Sequence, residues 1–97
     1  MKDCRDIDEV RENIDSIDRG IVRLLSERSR YVKQAARFKK TTEDVKAPKR
    51  VEEVIAKVRI LASEQGIDPD IVEKVYRTMI TCFINDEMKE HDKVKSR

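Results

Sequence analysis

The chain has 97 residues, of which 43% are charged, 38% apolar and 4% aromatic, with no Trp and two Gly; this fits one small domain and argues against a sheet protein with many tight turns. Twenty-two basic residues are balanced by twenty acidic ones for a formal net charge of +2, an interleaved pattern that excludes the positive field and aromatic stacking on which nucleic-acid binders rely. The opening MKDCRDIDEV lacks the apolar stretch of a signal peptide and no run approaches the roughly 18 apolar residues of a membrane span, so a soluble, cytoplasmic, all-α protein is expected.

From Ile7 the apolar residues recur with a heptad-like beat: Ile7, Ile14 and Ile21 at one position, Val10, Ile17, Leu24, Tyr31 and Phe38 at the other. The beat predicts one long helix from residue 7 to about residue 40, started by Asp6 or Asp8 and interrupted by nothing but Gly20. KKTTEDVKAP breaks the pattern and Pro48 turns the preceding residue from right-handed helical angles, so this stretch is read as a joint. A second, shorter helix carries Val51, Val54, Ile55, Val58, Leu61 and Ala62 on one stripe and ends at Gly66, which suits a left-handed closing residue. Asp68 then caps a third helix with Pro69 in its first turn. Its stripe is Val72, Val75, Tyr76, Met79, Ile80 and Phe83, and it fades into the polar tail EHDKVKSR. A single domain over 1–97 is expected, with tails at 1–5 and 91–97.

The length of the first helix bears on assembly. Some 34 residues at 1.5 Å each span about 50 Å, against a radius of gyration of about 12 to 13 Å for a compact chain of this size. Two shorter helices cannot cover such a rod, so its seam is expected to meet a second copy in a two-fold dimer with paired long helices. A bend near Gly20 would instead give a monomeric bundle.

Continuing the beat of Ile7, Ile14 and Ile21 lands on Arg28, a guanidinium where a core residue is expected. On an unbroken helix Lys39, eleven positions on, shares its face about 16 Å away, so the two can converge on a small anion. Arg11 lies about 25 Å from Arg28 along the same helix and could complete such a site only in a partner chain. Arg50 begins the second helix, and Glu87 continues the third helix's stripe four after Phe83; both could face inward. Each of these charges has a plain alternative: Arg11 and Arg50 as surface residues, Arg28 and Glu87 as a buried bridge, Lys39 as a dipole-complementing lysine at a helix end. Cys82 is read as a small core side chain and His91 as a solvated one. Cys4, Cys82 and His91 offer no cluster for a metal, and no cofactor motif is present. Several cations in an apolar box can grip carboxylates and stabilise charge developing on an oxygen without any covalent step.

These residues carry a resemblance. VRENIDSID with Arg11, LLSERSRYVKQAARFK with Arg28 and Lys39, APKRV with Arg50, and FINDEM with Glu87 stand in order and at family spacing, and over residues 6 to 90 the chain resembles the all-helical chorismate mutase family. The resemblance implies an intertwined homodimer with two active sites, each formed by Arg28, Lys39, Arg50 and Glu87 of one chain and Arg11 of the other. It implies that Arg11 and Arg28 hold the carboxylates of chorismate, that Lys39 binds a carboxylate and the ether oxygen, and that Arg50 supports that region. Chorismate would rearrange to prephenate.

Two departures stand out. Family members usually place a glutamine where this chain has Glu87, and a carboxyl can donate to the ether oxygen only when protonated. Typical mutases also hold the ring hydroxyl with carboxylates near the start of the second helix, where this chain has Ala47 and Val51. RYVKQAARFK and APKRV look closer to the isochorismate pyruvate lyase branch, which releases salicylate and pyruvate. Chorismate mutase is the leading expectation and isochorismate pyruvate lyase the alternative. The sequence leaves open whether the product serves aromatic amino acids or a salicylate-derived compound. A non-catalytic helical dimerisation or adaptor module is the alternative of a different class, and it has no need of Arg28 on the seam.

Overall fold

The computed structural model describes the backbone of residues 3–95 and the side chains of residues 3–90. Its order is α1 (Ile7–Ala36), α2 (Thr42–Lys46), α3 (Pro48–Gln65) and α4 (Pro69–Lys95), an all-α fold with no strand among the described residues. The chain divides into a part ending at Val32 and a part beginning at Lys33, and each is described in turn.

The first part is most of α1. Asp6 starts it: its Oδ1 accepts the Glu9 N–H at 2.8 Å, and Asp8 and Glu9 put negative charge on the first turn, where the helix dipole favours it. Asn13 donates from Nδ2 to the Glu9 carbonyl at 2.8 Å and to the Cys4 sulfur at 3.6 Å. The helix passes through Gly20 without interruption. No residue of α1 is buried, and its seam is open: Ile14 is 50% exposed, Ile17 62% and Leu24 55%.

The second part contains the core. α1 stops at Ala36, short of the expected residue 40, because Arg37, Phe38 and Lys39 donate to carbonyls three residues back at 3.1, 3.0 and 3.2 Å, a tightening that ends α-helical pairing. The expected joint contains a helix of its own. Thr41 caps α2 in a reciprocal box with Asp44, and Asp44 Oδ2 also accepts the Lys40 N–H at 3.0 Å. Val45 on α2 is 3% exposed and α2 packs on α4. Ala47 then takes left-handed angles, φ 39° and ψ 60°, and donates its N–H to the Glu43 carbonyl at 2.8 Å. Pro48 opens α3.

Gly66 closes α3 in the left-handed region at φ 76°, which glycine adopts without steric cost. Asp68 Oδ1 accepts the Asp70 N–H at 2.9 Å at the start of α4. The three-residue connection makes α3 and α4 a hairpin. Ile55, Val58 and Ala62 of α3, Ile80 of α4 and Val45 are the buried apolar residues; full burial of one such branched side chain contributes about 1.5–3 kcal/mol. Three expectations are corrected. Leu61 and Val75 lie on the expected stripes yet are 53% and 58% exposed, and Cys82 is exposed, because α3 and α4 cover only a narrow strip of each other. α4 also runs on to Lys95 where a tail was expected. The side chain of His91 lies outside the described residues.

Candidate active site

Lys39 and Glu87 arrive at one place by independent routes. Glu87 stands seven residues after Ile80 on α4, two turns with little angular drift, so it continues the buried stripe. Lys39 lies beyond the end of α1, in the strap between the closing turn and the Thr41 cap. The helical-phase argument linking it to Arg28 therefore does not apply. The strap is pinned on its far side by Asp44, which holds the Lys40 and Thr41 N–H groups at 3.0 and 3.1 Å, and by buried Val45.

The Lys39 ammonium donates to both Glu87 oxygens, at 3.0 Å to Oε2 and 3.3 Å to Oε1. The two side chains are 21% and 9% exposed. The half-buried ammonium and carboxylate, in bidentate contact, offer three donor hydrogens on one side and up to four acceptor positions on the other. Such a pair can exchange partners with an anionic guest, the ammonium turning to an incoming oxygen.

The other expected residues are placed differently. Arg50 is in the first turn of α3, but its side chain is 62% exposed and its Nη1 lies 3.7 Å from Glu53 Oε2. Arg11 is exposed and Arg28 half-buried, both on the stretch of α1 that ends at Val32. Of the five, the structure brings Lys39 and Glu87 together. Asp44 was missed by the sequence reading, although the spacing Thr41-x-x-Asp44 is the signature of a capping box. Among the described residues no group of three His, Cys, Asp or Glu could hold a metal ion, and no helix is long and apolar enough to cross a membrane.

The described residues thus give an all-α chain with a half-buried ammonium–carboxylate pair between the strap and α4. The family can be stated more narrowly. A family model for chorismate mutase type II matches residues 10–88, and the chain belongs to that family. It is 36% identical to an isochorismate pyruvate lyase of Pseudomonas aeruginosa over 88 residues, covering 91% of this chain and 87% of that protein. It is 30% identical to a chorismate mutase of Methanocaldococcus jannaschii over 73 residues, covering 74% of each chain.

Proposed function

We propose that this protein is a cytoplasmic homodimeric enzyme that catalyses pericyclic reactions of chorismate-type dicarboxylates. One reaction is the rearrangement of chorismate to prephenate, in which the ether C–O bond breaks as a C–C bond forms. The other is elimination of pyruvate from isochorismate, in which the C–O bond breaks and a ring hydrogen passes to the enolpyruvyl methylene, leaving salicylate. The observation that carries this reading is the half-buried contact of Lys39 with Glu87 at 3.0 Å, within the segments that match the family.

In this reading the Lys39 ammonium turns from Glu87 to the ether oxygen and stabilises the charge that grows there, an interaction stronger in the transition state than in the ground state. Glu87, in its acid form, donates a second hydrogen bond to the same oxygen. Arg28 and the partner subunit's Arg11 hold the two carboxylates and so fix the reactive fold of the substrate. Arg50 leaves Glu53 to support the carboxylate nearest Lys39. The open seam of α1, with Ile14, Ile17 and Leu24 half or more exposed, supports pairing with a second copy.

A specific observation favours isochorismate as the better substrate. Ala47 and Val51 supply no carboxylate to a ring hydroxyl at the start of α3, and the neighbouring Glu52 is engaged by Arg77. Purified protein supplied with chorismate should deplete its ultraviolet absorbance, and with isochorismate should develop salicylate fluorescence with the higher kcat/KM. Silence with both substrates between pH 5 and 8 would leave the adaptor reading in possession of the field.

A further inference from the structure

The α3–α4 hairpin is tied covalently at one end only, by the turn at Gly66, and Arg50 and Glu87 lie toward the other. Arg50 is in the first turn of α3 and Glu87 late on α4. The buried residues of the two helices, Ile55, Val58, Ala62 and Ile80, are aliphatic, and burial of that kind has no direction of its own. Directional contacts come from a ladder of charges along the hairpin. Nearer the turn, Arg59 Nη1 reaches Asp70 Oδ1 at 2.9 Å and Glu73 Oε1 at 2.8 Å. Farther out, Arg77 offers Nη1 and Nη2 to the two oxygens of Glu52, each at 2.9 Å. The third donor nitrogen of Arg77, Nε, meets Glu73 Oε2 at 2.8 Å one turn back on its own helix.

We propose that Arg77 is a positioning residue for the reaction above: through Glu52 it holds the open end of the hairpin, so that the first turn of α3, with Arg50, keeps its place relative to Lys39 and Glu87. This rests on the reading of the site given above.

Glu52 is fourteen residues before Gly66 and Arg59 seven, so the outer rung lies two turns, about 10 Å, farther from the covalent tie. Arg50 is the second residue beyond it. Exposed ion pairs taken singly contribute little; this one differs in geometry. A guanidinium held by Glu73 at one edge and presenting a two-pronged fork at the other transmits the orientation of α4 to α3, because the planar fork leaves no rotational slack. A lysine at this position keeps the charge but offers a point donor that cannot hold both Glu52 oxygens and Glu73 together. Glu52 and Glu73 are both held below the ordinary carboxylate range, with the Arg77 hydrogen bond the largest cause in each case.

Arg50 would grip a carboxylate present in substrate and transition state alike, so its displacement should appear in KM rather than kcat. The test compares Arg77→Lys, Glu52→Gln, the double variant, and Arg59→Lys as the inner-rung control. The expected result is a KM raised about tenfold in each outer-rung variant with kcat within about twofold, the double variant no worse than either single. Arg59→Lys should lower Tm comparably while leaving KM unchanged. Hydrogen exchange without substrate supplies a readout independent of activity: Arg77→Lys should accelerate the amides of residues 51–56 and leave those of 59–65 at wild-type rates. Equal KM effects at both rungs, additive effects in the double variant, or exchange accelerated evenly along α3 would each overturn the proposal. Should the wild-type protein turn over neither substrate, the activity reading falls, and the exchange pattern alone decides whether Arg77 holds the open end.

Discussion

At the scale of single residues, Glu87 is the position on which the proposed chemistry turns. Its carboxylate accepts from Lys39 at 3.0 Å, and in that form it has no hydrogen to offer a substrate oxygen. Glu87→Gln, which carries a donor where the carboxylate has none, should therefore raise kcat several-fold with little change in KM. An unchanged kcat in that variant would remove Glu87 from the ether oxygen. The inward direction of Glu87 was legible in the sequence, four residues after Phe83 on a regular stripe. Lys39 is expected from the sequence to share a helix face with Arg28; instead it reaches Glu87 from a strap, since closure of α1 by three short-range bonds leaves no mark in apolar periodicity. For Arg50 the sequence shows the first-turn position but not the exposed side chain, because a long flexible stem is oriented by neighbours such as Glu53.

At the scale of elements, charge and capping decide what periodicity does not. Gly66 and Asp68 were readable as a stop and a start because each acts on its own backbone within a few residues. α2 was not, since a single turn has no period and its existence depends on Thr41 and Asp44 satisfying each other's donors. Asp44 is held below its ordinary 3.8, first by the Lys40 N–H and then by the Thr41 N–H. Glu52 and Glu73 are held below 4.5, first by Arg77. A carboxyl whose folded value is depressed adds stability that is present above the unfolded value and lost as pH falls through the folded one. Thermal unfolding should thus be insensitive to these groups near neutrality and weaken as pH drops below 4.5. Asp44→Asn should lower Tm at pH 7 and remove part of that acid sensitivity, and a Tm unchanged down to pH 3 would contradict the assignment.

At the scale of the whole molecule, the heptad seam of α1 is the feature most legible in the sequence, and in one chain it is uncovered: Ile17 is 62% exposed and Tyr31 70%. Pairing with a second copy was argued from helix length, and whether Arg11 serves its own chain or its partner can be tested by complementation. Arg11→Ala and Lys39→Ala, each inactive alone, should regain about a quarter of wild-type activity when refolded together in equal amounts, because half of the dimers are mixed and each of those retains one intact site of two. No recovery would place both residues in one chain's site or dispense with the dimer. The hairpin turned by Gly66 has a further consequence, for the order in which the molecule assembles itself. α3 and α4 are neighbours along the chain, so their contacts close short loops at small entropic cost and should form early, whereas the seam of α1 must await an encounter. Stopped-flow refolding should show a fast gain of helicity at a rate indifferent to protein concentration, followed by a slower phase that accelerates as concentration is raised; one phase, concentration-dependent throughout, would mean that the hairpin has no life before the encounter.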